Sequence, residues 1–194
     1  MTHTYPPPSR RLLITMFSMA AAVMNQVDVT IANVALPHIQ GSLSASREQI
    51  SWVLTSYIIA MAIFTPLTGW LANRIGRRRV MLYSIMSFTI VSGLCGMAVN
   101  LDELILFRML QGLTGAALVP LSQANLLDTY PQEEHGKAMA IFGMAAITGP
   151  LLGPLLGGWL TDNLSWRWCF FINLPLGLFA WIGLRDFAHK PLTD

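Results

Sequence analysis

Six stretches of about twenty mostly apolar residues constrain this chain more than any other feature: 12–36, 49–71, 80–99, 104–127, 138–161 and 168–187. An α-helix rises about 1.5 Å per residue, so each stretch can cross a hydrocarbon core of roughly 30 Å. Such a core offers no water to backbone N–H and C=O groups, and a helix satisfies them within one segment. The connections are short and polar, which predicts an all-α integral membrane protein with one six-helix bundle at 12–187 and tails at 1–11 and 188–194. Composition agrees, with 54% hydrophobic and 11% charged residues, against roughly a quarter charged in soluble domains. The first stretch is too long for the apolar part of a cleaved leader and contains Asn25, Gln26 and Asp28, so it is expected to remain as a helix. The leading THTYPPPS reads as an extended or disordered tail.

Lysine and arginine set the orientation. With the N-terminus cytoplasmic, that side holds Arg10, Arg11, Arg74, Arg77, Arg78, Arg79, Lys137, Arg185 and Lys190, and the outer side only Arg47 and Arg167. This positive-inside bias predicts both termini in the cytoplasm of a cell (inner) membrane protein. Trp52, Trp159, Trp166 and Trp168 then fall near the outer interface and Trp70 near the inner one, as an aromatic belt.

Several function classes have no residues to carry them. A net charge of +2 and scattered arginines offer no nucleic-acid footprint. Cys95 and Cys169 sit in separate apolar runs without C-x-x-C or Cys/His spacing, so no metal or disulfide is expected. No G-x-x-x-x-G-K-[ST] loop would drive an ATP pump, and no G-x-S-x-G would serve a hydrolase. His3, His38, His135 and His189 are assigned to tails or loops, Gln132, Glu133 and Glu134 to a solvated loop, and Asp102 with Glu103 to a helix N-terminus. The chain is not expected to be an enzyme, and no cofactor is expected.

Two ionisable groups lie inside the apolar stretches, Asp28 and Arg108. A charge at the centre of a membrane helix costs about 2.5–3.5 kcal/mol even on the mildest scale, so such groups demand a reason. On the first helix, Ser18, Ala21, Ala22, Asn25, Asp28, Val29, Ala32 and Asn33 share one small, polar face, expected to look into the bundle or a wet cavity. Met16, Val23, Val27 and Val34 form the opposite face, expected to meet lipid. Counting from the helix ends places Asp28 and Arg108 in the outer half, within reach of each other directly or through water. Two readings stand: a structural ion pair, or a protonation or substrate site, since burial disfavours the charged form of a carboxyl group.

Thr148 to Gly158, TGPLLGPLLGG, puts two prolines and four glycines into a helix that must span the membrane. Helices in lipid associate through small residues that admit close backbone contact. Ala145, Gly149, Gly153 and Gly157 recur every fourth residue as a flat face, and Pro150 and Pro154 on the adjoining face would bend the helix. The face suits either ordinary tight packing or a sliding interface.

Together these motifs resemble the major facilitator superfamily over nearly all of residues 12–187. GWLANRIGRRRVM (Gly69 to Met81) is similar to the signature loop between helices two and three, LILFRMLQGLTGAA (Leu104 to Ala117) to the helix-four motif, and GPLLGPLLGG (Gly149 to Gly158) to the antiporter motif. VDVTIANVALP (Val27 to Pro37) and SWRWCFFINLPLG (Ser165 to Gly177) resemble segments of the fourteen-helix drug:proton antiporter branch.

The resemblance implies proton-coupled efflux of drugs or other small, often cationic or lipophilic, compounds. Asp28 would be the membrane-embedded acid and Arg108 the arginine linked to proton movement, with Asn25, Asn33 and Gln111 beside them. Gly69, Asn73, Arg74, Gly76, Arg77 and Arg78 would form the inner gating loop, and Gly149, Gly153, Pro154, Gly157 and Gly158 the seal against leak. Asn73 stands where the motif has an aspartate, and an amide anchors no charge network. Family members have twelve or fourteen helices, so this chain looks like an N-terminal half with an inverted three-plus-three repeat. Alone, its polar helix-one face and glycine face are expected to meet lipid, leaving Asn25, Asp28 and Asn33 poorly satisfied. The implied partners are a small-molecule substrate, protons, the lipid bilayer, a second transporter half or a second copy, and a periplasmic adaptor. An inactive truncated product or a membrane interaction protein is the alternative.

Overall fold

A computed structural model of the chain describes residues 5–187; positions 1–4 and 188–194, with His3, His189, Lys190, the start of the expected N-terminal tail and the whole of the expected C-terminal one, lie outside the described residues. Eight α-helices follow one another: α1 (Pro8–Ser42), α2 (Arg47–Ile75), α3 (Arg77–Met97), α4 (Leu101–Gly115), α5 (Leu118–Thr129), α6 (His135–Asn163), α7 (Trp168–Phe171) and α8 (Asn173–Phe187), with a 3-10 turn at Gln132–Glu134. They make six spans long and apolar enough to cross a membrane, α4 with α5 forming the fourth and α7 with α8 the sixth.

Local chemistry explains the punctuation. Ser46 and Gln49 close a capping box at the start of α2, each side chain bonding the other's backbone N–H. Asn100 caps α4 by accepting from Glu103 N at 2.8 Å, and Glu103 accepts from Val99 N at 3.1 Å. The two interrupted spans each owe their break to a proline four residues on: Pro120 lacks the N–H that the Ala116 carbonyl would take, and Pro175 lacks the one for Phe171. The expected loop at 69–81 is almost entirely helix. Only Gly76 separates α2 from α3, at φ 100°, where a side chain would strain the backbone. α6 runs unbroken through Pro150 and Pro154.

α1 is the centre of the bundle. It packs against α6, α8 and α5, while α2 lies on α4 and α3 on α4 and α8. Ala21, Met24, Ile31, Ala35 and Ile39 of α1 are fully enclosed. Val27 is also buried, contrary to its expected place on a lipid face, because neighbours surround α1 on nearly every side; Met16 alone of that face is exposed. α2 and α6 form the outside. Only 17% of the apolar stretch of the fifth span is buried and 28% of the second, against 56% of the first.

The polar rim departs from expectation in small ways. His38 sits in the last turn of α1, 3.7 Å from Asp162, and His135 opens α6 with Nε2 3.0 and 3.1 Å from the carbonyls of Leu127 and Tyr130. Both are on helices, not in loops. Trp52, Trp70, Trp159 and Trp168 are about half exposed, but Trp166 is buried with the Arg167 guanidinium 4.5 Å from its ring.

Candidate functional site

The bundle core holds a continuous polar cluster built from five of the spans. Asp28 of α1 is fully buried, as is Arg108 of α4. Arg108 Nη1 donates to Asp28 Oδ2 at 2.6 Å and to Gln111 Oε1 at 2.7 Å, while Arg108 Nε donates to the Val53 carbonyl of α2 at 3.2 Å. Asp28 Oδ1 accepts from Gln111 Nε2 at 2.9 Å and from Asn173 Nδ2 at 2.8 Å. Of the two arrangements open from the sequence, direct contact or a water bridge, the direct pair is observed.

Asp28 lies just past the midpoint of α1, on the Ser42 side, and Arg108 lies in the first half of the fourth span Leu101–Thr129, so both fall in the halves of their spans where the sequence places them. The guanidinium lies 4.2 Å from the Tyr57 ring centre and 5.7 Å from that of Phe170, aromatic faces that favour a cation in a dry site. Cys95 points its thiol at Gln111 Oε1, 3.4 Å away.

Asn25 belongs to the edge of this cluster, donating to Tyr57 Oη at 2.9 Å and to the Gly115 carbonyl at 3.4 Å. Asn33 does not join it: the residue is exposed and donates to the Val29 carbonyl of its own helix at 3.2 Å. Three members escaped the sequence reading. Tyr57 supplies the ring beneath Arg108. Asn173 and Ser92 bond each other at 2.9 Å, and Ser92 donates to the Phe170 carbonyl at 2.8 Å. The available signal was an amide inside an apolar run, the Asn173 of FFINLP. Two buried polar atoms of the cluster, Arg108 Nη2 and Asn173 Oδ1, have no hydrogen-bond partner among the described residues.

The glycine face lies on α1 rather than on lipid, which corrects the expectation for an unpaired bundle. β-carbons added at Gly149, Gly153 and Gly157 would run into Gln26, Thr30 and Ile31 respectively. Thr30 of α1 donates across the seam to the Gly149 carbonyl at 3.0 Å. Pro154 is exposed and Gly158 has no neighbour within 4 Å of an added β-carbon, so neither shares this contact. Nor are Asn25 and Asp28 poorly satisfied, since partners within the chain supply their bonds.

The residues of the expected gating loop do not converge. Gly69, Asn73 and Arg74 lie exposed on α2, with Arg74 stacked 5.4 Å from Trp70. Across the corner on α3, Arg77 pairs with Asp128, and Arg78 donates to the Arg185 carbonyl at 2.8 Å.

Comparison with known proteins decides the family. The model described as Major Facilitator Superfamily matches residues 18–191. The chain belongs to the major facilitator superfamily. Among superfamily relatives it is 45% identical to the Multidrug export protein EmrB of Haemophilus influenzae, over 93% of this chain and 37% of that protein. It is 43% identical to the Fatty acid resistance protein FarB of Neisseria gonorrhoeae, over 96% of this chain and 37% of that protein. The chain thus spans little more than a third of the length of these relatives. Its fold matches that of the proton:xylose symporter XylE with TM-score 0.79 at 18% identity, covering 94% of this chain and 45% of that one. A bacterial homologue of the lysosomal transporter Spinster gives TM-score 0.75 at 20% identity, over 97% and 45%. The present chain, all-α among its described residues with six membrane-length spans, shares its fold with these transporters.

Proposed function

We propose that the chain is one six-helix bundle of a proton-coupled exporter of drugs or other small, often cationic or lipophilic, compounds. Asp28 carries the proton and Arg108 answers to its charge. The observation that carries this reading is the fully buried Asp28–Arg108 contact at 2.6 Å. Removing two charges from water is costly, and apolar side chains of similar volume often serve packing as well or better. A proton or a cationic substrate arriving at Asp28 competes with Arg108 for the same carboxylate, which links occupancy to the hold between α1 and α4. The names of the relatives, multidrug export among them, agree with this reading.

Two further features support a moving half. The α1–α6 seam of glycines is a contact over which backbones can slide without interlocked side chains. The apolar outer faces of α2 and α6, with Ile63, Leu67 and Trp70 on one and Ile147, Leu151 and Leu155 on the other, are exposed. They suit a second bundle, separately encoded or a second copy, against which this one rocks in alternating access. The positive-inside distribution favours cytoplasmic tails at both ends of the bundle.

The test joins this chain to the remaining helices of a multidrug export relative and follows ethidium in cells stripped of other efflux. The fused protein is expected to lower ethidium accumulation several-fold and the six-helix chain as a proven monomer to leave it unchanged. Robust efflux by the monomer would overturn the half-transporter reading, and an inert but correctly inserted fusion would overturn export.

A further inference from the structure

Asn173 opens α8 with its amide lodged between α1 and α3. Both Nδ2 hydrogens are used, one on Asp28 Oδ1 at 2.8 Å and one on Ser92 Oγ at 2.9 Å. Its Oδ1 is buried and accepts from none of the described residues. Ser92 passes its own hydrogen to the Phe170 carbonyl.

Every group bonded to the Asp28 carboxylate is a donor: Arg108 Nη1 on Oδ2, Gln111 Nε2 and Asn173 Nδ2 on Oδ1. That suits an ionised carboxylate, which only accepts. A protonated Asp28 needs an acceptor for its new O–H. Arg108 has none to offer. Gln111 cannot turn over, because its Oε1 is held by Arg108 Nη1 at 2.7 Å and faced by the Cys95 thiol. Asn173 is different, since its oxygen is idle and its nitrogen is held only by Asp28 and by a serine hydroxyl that can rotate to donate instead.

We infer that Asn173 is a positioning residue that reads the protonation of Asp28: its amide turns over when the proton arrives, so that Oδ1 accepts from Asp28 and from Ser92. This rests on the reading of Asp28 as the proton carrier. The proton adds to a carboxylate oxygen and forms one O–H bond; otherwise only hydrogen bonds are exchanged. The Ser92 hydroxyl leaves the Phe170 carbonyl and swings to Asn173. That carbonyl lies two residues before Ile172, the break between α7 and α8. A proton on α1 is thereby felt at the joint of the sixth span. The charged and titratable neighbours of Asp28 are Arg108 from α4, Tyr57 from α2, Cys95 from α3 and Cys169 from α7. α6 meets α1 through its glycines.

Infrared difference spectra of the full chain in lipid vesicles, acid minus alkaline, with asparagine side chains carbon-13 labelled, test this. A protonated carboxyl band, lost in Asp28→Asn, is expected together with a labelled amide carbonyl band that moves to lower frequency, because an idle oxygen gains two donors. The amide shift is expected to vanish in Asn173→Leu, to shrink in Ser92→Ala and to return in Ser92→Thr. The serine pair reads the amide without altering Asn173, should the leucine variant fail to insert. An Asp28 band with an unmoved amide, or an amide shift indifferent to both Asn173→Leu and Ser92→Ala, would overturn the inference alone. No Asp28 carboxyl band at any accessible pH would overturn the proton-carrier reading and this inference with it.

Discussion

The Thr30 hydroxyl of α1 reaches across to the Gly149 carbonyl of α6 at 3.0 Å, a distance that holds only because no side chain lies between the two helices. One turn along, Gly153 faces the same threonine so closely that any β-carbon would overlap its hydroxyl. The seam is therefore intolerant of bulk on one side of α6 and indifferent to it on the other.

Gly153→Leu and Gly158→Leu separate those two faces. Overpacking typically costs about 1–3 kcal/mol, so Gly153→Leu is expected to lower thermal stability clearly and to abolish transport or open a proton leak in the fused transporter. Gly158→Leu meets nothing within 4 Å and is expected to insert and unfold like the parent. Equal unfolding temperatures for the two would place the seam elsewhere.

Gly112 is the corresponding contact between α2 and α4, since an added β-carbon would collide with the Tyr57 carbonyl. Gly112→Ala is expected to push the Tyr57 ring from beneath Arg108, with a loss of about 1–3 kcal/mol. Gly143→Ala, in open space on α6, provides the matched control in the same unfolding measurement.

How far the sequence disclosed this arrangement depended on the kind of signal. Apolar length gave the six spans, and a charge stranded in an apolar run gave Asp28 and Arg108, because both follow from the cost of lipid contact. Helical spacing places Asn33 on the stripe of Asn25 and Asp28, but a period of 3.6 residues defines a stripe and not how far along it the neighbours reach. Helical spacing assigns Val27 to lipid if a helix has one buried face, a premise that fails for a helix enclosed like α1. Asn173 carries a signal, an amide inside an apolar run, but Tyr57 and Ser92 are ordinary residues there, and only packing brings the Tyr57 ring to Arg108 and the Ser92 hydroxyl to Asn173.

Breaking the buried pair from one side is expected to be worse than removing it whole. Arg108→Leu leaves Asp28 without its charge partner, a change that typically costs about 3–5 kcal/mol. Adding Asp28→Leu is expected to recover part of that stability in a double-mutant cycle read by thermal unfolding. A double variant no more stable than Arg108→Leu would contradict a direct, energetically coupled pair.

At the α2–α3 corner the backbone is expected to matter more than the charges. Gly76 at φ 100° holds a conformation that costs a side chain about 1 kcal/mol or more, so Gly76→Ala is expected to destabilise the corner. Asp128→Asn removes an exposed partner of Arg77, and such pairs contribute about 0–1 kcal/mol. Unfolding temperatures of the two variants in detergent check the order.

The most direct test of Asp28 as the proton carrier is substrate-induced proton release, measured in weak buffer on the purified fused transporter. Binding of a lipophilic cation is expected to release protons from the parent protein, and Asp28→Asn is expected to release none while inserting and binding detergent or lipid normally. Undiminished proton release from the Asp28→Asn protein at equal occupancy would contradict the account.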